Sequence, residues 1–239
     1  MANGLVRSLL AILLAATSAV AFPAGEALHG TPGAEQVWRF RVFLDRREIG
    51  FHEFRVAGDA AAQTVHSTAE FDVRFLFFKA YRYRHHNRET WQDGCLRRIE
   101  AVTDENGRIH RVAGAPSEDA FMVVTGGEVR TRVDGCVRSF AYWNAGLLDT
   151  AGLLNAQTGE VQPVNFERRG DAWIDIAGER VLAEQVALVM REGTITLWYA
   201  VQDGRWLALE APAAGDRVLR YEPVAVPGAP YPDRQVAMH

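Results

Sequence analysis

The sequence predicts an all-β fold: a single antiparallel, strongly curved sheet, a half-barrel or a barrel, with one short helix or loop insertion near residues 141–156. Three observations predict it. Apolar and polar residues alternate with period two in about a dozen stretches, the spacing that puts successive side chains on opposite faces of a strand. Turn dipeptides such as Asp93-Gly94, Asn106-Gly107, Gly126-Gly127 and Asp203-Gly204 separate those stretches at hairpin spacing. Helical spacing occurs in one place in the body of the chain, from Ala141 to about Asn155.

In order, residues 1–21 read as a signal peptide. Arg7 supplies the positive start, Leu9 to Ala16 a short apolar run, and Ala19-Val20-Ala21 a small-x-small cleavage signal, so the mature chain is expected to begin at Phe22. The run falls short of the roughly 20 apolar residues a membrane span needs, so no transmembrane segment is expected after cleavage. No cysteine follows it, which excludes a lipoprotein signal. The expected compartment is the periplasm, with the medium second. Residues 22–35, with Pro23, Gly25, Gly30, Pro32 and Gly33, form a leader without periodicity.

The single β domain runs from residue 36 to 222. Val37 to Leu44 and Ile49 to Val56 form the first hairpin, and Thr64 to Glu70 runs into the stretch on which the chain is centred. That stretch, Glu70 to Trp91, alternates Phe71, Val73, Phe75 and Phe77, breaks near Lys79-Ala80, and resumes with Tyr81, Tyr83 and His85 on one face. Arg82, Arg84, His86 and Arg88 stand on the other. Hairpins follow at 95–113 and 121–133, and Cys136 to Phe140 begins the next element. Ala141 to Asp149 gives one helical turn, rich in aromatic residues and leucine. Strand signals return at 161–167, 172–176, 181–190, 194–201, 205–210 and 217–221, with Gly170-Asp171 among the punctuating turns. The tail, residues 223–239, carries Pro223, Pro227, Pro230 and Pro232 and is expected to be disordered.

Composition narrows the function classes. With 239 residues, 48% hydrophobic and 23% charged, the chain has the makings of a sizeable core. A net charge of -4 excludes a general nucleic-acid binder. Two cysteines in an exported chain predict one disulfide, Cys95–Cys136, each preceded by Asp-Gly at a turn. Closing that loop of about 40 residues stabilises the fold by roughly 4 kcal/mol on the chain-entropy account.

No catalytic residue, metal ligand or cofactor is predicted. His85 and His86 are neighbours on a strand, point to opposite faces and cannot share one ion. Neither a nucleophile elbow nor a phosphate-binding glycine loop is present in the sequence. The candidate ligand-binding residues are Phe75, Phe77, Tyr81, Arg82, Tyr83, Arg84, His85 and Trp143. The aromatic face would line a site for a lipid or other apolar small molecule, Arg82 and Arg84 would hold a polar head if a bulge turned them inward, and Trp143 would cap the mouth. The plainer reading is that the aromatics fill a core and that the arginines pair with acids on neighbouring strands, such as Glu70, Glu100 or Glu53. An envelope interaction module and, less favoured, a hydrolase-type enzyme are the alternatives; oligomeric state is not legible.

The stretches Phe71-Asp72-Val73-Arg74-Phe75-Leu76-Phe77-Phe78, Tyr81-Arg82-Tyr83-Arg84-His85 and Ser139-Phe140-Ala141-Tyr142-Trp143-Asn144 resemble the bacterial family known as domain of unknown function 6134. Leu197-Trp198-Tyr199 followed by Arg205-Trp206-Leu207-Ala208-Leu209-Glu210 fits the same pattern, and the chain is more faintly similar to family 3108. The resemblance covers most of residues 36–222. It implies an exported all-β protein and brings no activity or site residues with it.

Overall fold

The alternating stretches do become strands, and the computed structural model describes residues 35–75, 78–176 and 178–228. For residues 74, 75 and 78–80 the description covers the main chain. The expected signal peptide, the leader up to residue 34 and the tail beyond residue 228 lie outside the described residues.

Eight strands follow one another first: β1 (Gln36–Leu44), β2 (Arg47–Gly58), β3 (Ala62–Phe75), β4 (Phe78–Gln92), β5 (Cys95–Glu105), β6 (Arg108–Ser117), β7 (Ala120–Thr125) and β8 (Val129–Val133). A 3₁₀ turn (Ala145–Asp149) and a small hairpin, β9 (Gly152–Leu154) with β10 (Val161–Pro163), make up the insertion. Five strands complete the chain: β11 (Asn165–Ile176), β12 (Glu179–Met190), β13 (Gly193–Ala200), β14 (Trp206–Ala213) and β15 (Arg217–Ala225). Thirteen of these form one antiparallel sheet in the order β11-β12-β13-β14-β15-β1-β2-β3-β4-β5-β6-β7-β8. Neighbours are consecutive in sequence except at the β1–β15 seam, and the sheet does not close, leaving β11 and β8 as its edges. The chain passes from one edge to the other through the insertion.

One face of this sheet is the core. Phe40, Val42, Phe54, Val65, Ile99, Val123, Leu188, Leu197, Trp206 and Leu209 all lie within one buried cluster. The insertion fills much of the space they enclose: Leu147, Leu153 and Leu154 are at most 1% exposed. Gly159 shows how closely it packs. Its φ is +75°, and a Cβ there would stand 2.2 Å from Thr125 Cγ2, so this turn meets the β6–β7 surface without room for a side chain. The opposite face carries arginine–carboxylate ladders, such as Arg39–Glu53 at 3.1 Å and Arg41–Glu222 at 3.2 Å.

The two cysteines form the expected disulfide, with Cα atoms 5.1 Å apart. Cys95 opens β5, whereas Cys136 lies in the connection after β8, not in a strand. The bridge therefore pins the root of the insertion to the sheet. Leu96 N–H donating to Val137 O at 2.8 Å and Arg138 Nε–H donating to Gly94 O at 3.2 Å hold the same joint.

Two expectations needed correction. Gly170-Asp171 is not a turn: β11 runs through it, with a bulge between Arg168 and Gly170 and Gly170 at φ +94°. A glycine that relaxes the backbone inside a strand leaves the same sequence mark as one that reverses it. The ladder also does not stop before the prolines: Pro223 pairs with Phe40 beside a bulge in β15 itself, where Val224 is the extra residue before Ala225 pairs with Arg39, a place that tolerates a residue without N–H.

Candidate functional site

The central stretch is two strands. β3 ends at Phe75, β4 begins at Phe78, and the break expected at Lys79-Ala80 is a bulge: Arg74 pairs with Lys79, but Val73 pairs with Tyr81. From Tyr81 onward the odd-numbered residues face the core. Burial follows this parity, with His85 7% and Glu89 3% exposed, while Arg82, His86 and Arg88 are exposed. The bulge thus comes too early to turn Arg82 and Arg84 inward. Arg82 donates to Asp104 at 2.6 Å, and Arg84 reaches Asp72 at 2.6 Å and Glu70 at 3.2 Å. These two arginines lie on the far face from any ligand held inside. Glu70 is among the partners the sequence pointed to, whereas Glu53 pairs with Arg39 and Arg55 instead.

The remaining candidates divide. Phe71 stacks on Tyr83 (centroids 5.2 Å, 11° between planes), Tyr81 on Tyr83 (6.4 Å, 15°) and Tyr83 on His85 (6.1 Å, 21°). This is one aromatic column on the inner face, and it brings Tyr81, Tyr83 and His85 together as expected. Phe77 lies outside the described residues; Phe75 enters only through its main chain, at the end of β3. Trp143 is elsewhere. It packs against Trp38 at 6.4 Å and edge-on to Trp91 at 5.8 Å. Trp91 is ten residues along β4 from Tyr81, about 34 Å at strand rise, so Trp143 plugs the far end and does not cap this one.

Two ends of the inner face therefore differ. At the disulfide end the insertion fills the space. At the other end, where β1–β2 and β3–β4 turn, the inward side chains of Leu44, Phe71, Val73, Tyr81, Tyr83 and Leu219 remain half-buried. Register puts them side by side: Leu219 pairs with Leu44, Val73 with Tyr81, Phe71 with Tyr83. Gly50 interrupts the wall on β2 between Val42 and Phe71, where a Cβ would collide with Glu70 O at 1.8 Å. Tyr81 donates to Glu105 at 3.0 Å and Tyr83 to Gln157 of the insertion at 3.2 Å.

Deeper in, a polar row crosses the sheet: His52 on β2, Ala69 on β3, His85 on β4, Thr103 on β5 and His110 on β6 are successive partners. His52 bonds Ser67 Oγ through Nε2 at 2.8 Å and Tyr221 OH through Nδ1 at 3.1 Å; His85 Nδ1 bonds Thr103 Oγ1 at 2.8 Å. Burial, with a smaller repulsion from His85, drives the His52 imidazole down to about 3, and burial with the proximity of His86 takes His85 to about 4. Both rings are neutral at ordinary pH and too weakly basic to take a proton from Ser67 or Thr103, so they act as fixed hydrogen-bonding groups. Their partners are hydroxyls; no carboxylate bonds either ring in the described set.

Nearer the insertion, Glu89 accepts from Asn87 Nδ2 and Trp91 Nε1, each at 2.9 Å, and from Ser139. Burial raises its pKa against these three donors. Glu89 thus ties β4 to the insertion. The sequence carried a signal for it, because Asn87 and Glu89 continue the inward parity of His85, and polar residues on an apolar face mark a buried network. His52 carried no such signal, since its place beside His85 depends on register. Among the described residues, no three histidines, cysteines or acids are grouped to hold a metal, and no helix is long and apolar enough to cross a membrane.

The sequence profile of the family described as domain of unknown function DUF6134 matches residues 40–224. The chain belongs to the DUF6134 family. The match spans the domain from β1 to β15, which fits the position of the seam: the family unit is the whole sheet with its insertion. No curated protein sequence matches this DUF6134 protein. Among solved structures it is similar to the crystal structure of a β-barrel-like protein of domain of unknown function DUF1849 from Brucella abortus, with a TM-score of 0.56 and 12% identity. The match covers 81% of this chain and 96% of that one, and at such identity it speaks for the fold alone.

Proposed function

We propose that this DUF6134 protein is exported to the periplasm and binds an amphipathic ligand, a lipid or another envelope component with an apolar chain, at the turn end of its inner face. The observation that carries this reading is the wall of half-buried inward side chains, Leu44, Phe71, Val73, Tyr81, Tyr83 and Leu219, at the end opposite the insertion. It extends over β15, β1, β2, β3 and β4, about 19 Å at ordinary strand spacing, wider than an acyl chain. Burying each methylene there is worth about 0.8 kcal/mol, so a chain of modest length gains several kcal/mol. Signal-like residues 1–21 and the disulfide support export.

Native mass spectrometry of the protein purified from the periplasm tests both parts. The expected spectrum shows a chain beginning at Phe22 and a lipid-sized adduct. A dodecanoyl fluorescent probe should bind the lipid-stripped protein and bind Val73→Arg more weakly. A chain retaining residues 1–21 would refute export. Absence of both adduct and probe binding would refute the ligand site.

A further inference from the structure

The two edges of the open sheet are guarded differently. β11 carries Glu167, Arg168, Arg169, Asp171 and Asp175, charges of both signs, and a bulge; these are devices that discourage pairing with another chain. β8 (Val129–Val133) has neither. It pairs with β7 in unbroken register, and its second side is unpaired among the described residues. Its charged side chains, Arg130 and Arg132, are both cationic and both on the outer face, while Val129, Thr131 and Val133 take the inner-face positions opposite Thr125, Val123 and Phe121. Val129 is 62% exposed.

Beside this edge, on the outer face, lies a trough of about 440 Å³. The small side chains of Ala113 and Ala115 line it with Met122 and Val124, and its charged lining is Arg98, Arg130 and Arg132 with Glu100 and Glu118. Arg98 is paired with Glu100 and Arg132 with Asp119 and Asp134. Arg130 has no ion-pair partner among the described residues.

We propose that β8 is a docking edge for an extended partner segment in which acidic residues alternate with apolar ones. The free main-chain groups of β8 supply the ladder, as when a peptide adds a strand to an exposed sheet edge. Residues at every second position of the added strand then stand directly opposite Arg130 and Arg132, and the one opposite Arg130 meets a cation that no carboxylate of the described residues holds, at the cross-strand distance where opposite charges attract. The intervening residues fall on the inner face and cover Val129 and Val133. Charge selects the partner: a segment with lysine at the acidic positions places like charges directly opposite the two arginines. A core of about five residues matches the length of β8. This edge is remote from the turn-end wall and does not depend on the ligand reading.

The probe is a synthetic nonapeptide alternating glutamate and valine, with a second in which lysine replaces every glutamate. Affinity is read by fluorescence anisotropy on the mature chain and the contact surface by hydrogen exchange. The glutamate peptide should bind at least tenfold tighter than the lysine peptide, weaken with salt, and slow exchange over residues 129–133. Arg130→Glu should weaken it about tenfold, the combined effect of removing an attractive pair and creating a repulsive one. Equal affinity of the two peptides, no binding of the glutamate peptide, or protection confined to β11 would overturn the proposal. The peptide comparison uses the unaltered protein, so the outcome does not depend on how the variant folds.

Discussion

Acid should loosen this protein through two histidines. His52 and His85 sit at about 3 and about 4 in the fold, against 6.5 for the free side chain, because burial disfavours the charged ring. The sign follows from proton uptake. The folded values lie below the unfolded one, so the unfolded chain takes up protons first as pH falls. The stabilisation is whole above about 6.5 and drains as pH drops toward the folded values. Each pH unit inside that window costs about 1.4 kcal/mol per histidine, so from pH 7 to pH 5 each loses up to about 2 kcal/mol. His52 keeps some accessible surface, which reduces its share, and about 3 kcal/mol is expected for the pair. Glu89 works against them: its folded pKa is raised, so its contribution is full below the ordinary carboxyl value and is lost as pH rises through the folded one. The decisive quantity is therefore the difference between the wild type and a His52→Gln, His85→Gln variant, which leaves Glu89 in place. Urea denaturation at pH 5, 6 and 7, followed by tryptophan fluorescence, gives it. The wild type should lose about 3 kcal/mol more than the variant between pH 7 and pH 5. A difference that stays constant within about 1 kcal/mol would refute the reasoning that these rings are held neutral by burial.

Other outcomes follow from single contacts. Denatured, unreduced protein should show no free thiol, and reduction or Cys95→Ser with Cys136→Ser should lower stability by about 4 kcal/mol in urea unfolding, since the bridge closes a 41-residue separation. Trp206→Ala removes a fully buried ring that meets Phe40 at 4.4 Å, Tyr142 at 5.4 Å and Phe54 at 5.5 Å; a loss of about 3–5 kcal/mol is expected by calorimetry or urea titration. Gly159→Ala should cost about 1–3 kcal/mol, through both its positive φ and the collision with Thr125, and a neutral result would mean the insertion does not seat on β7. Arg82→Ala should change stability by less than about 1 kcal/mol and leave dodecanoyl-probe binding unaltered, since its guanidinium is on the outer face with Asp104.

Most of the sheet was legible because its signal is local. Period-two alternation and short turn runs, Asp45-Arg46-Arg47-Glu48, Asn106-Gly107 and Gly126-Gly127, depend on neighbours in sequence, and they located the hairpins of β1–β2, β5–β6 and β7–β8. The misreadings share one cause, that a residue type suited to two backbone roles does not say which it fills. Gly170 marks a bulge and not a turn, and Pro223 is absorbed beside a bulge in its own strand, β15. The candidate site was legible only along a single strand. Tyr81, Tyr83 and His85 share a face by parity, but Leu44 and Leu219 join them through pairings that parity cannot supply. Trp143 was misassigned for the same reason: an aromatic insertion fits a lid or a plug equally well until the strand it packs against is known, and that strand end is the one bearing Trp91.

The seam between β1 and β15 has a temporal consequence. Val42 pairs with Tyr221, so the first strand of the domain waits for nearly the last to be made. Closing a loop of that length costs about 4–5 kcal/mol in chain entropy before any contact repays it. Until then β1 is an edge, and Phe40 lacks both Trp206 and Tyr221, the rings that later cover it. A chain threaded unfolded through a membrane, N-terminus first, would thus hold an eight-strand intermediate with an exposed aromatic edge for the time needed to deliver about ninety more residues. On the export route proposed above, aggregation should depend on the speed of translocation more than on the stability of the finished fold.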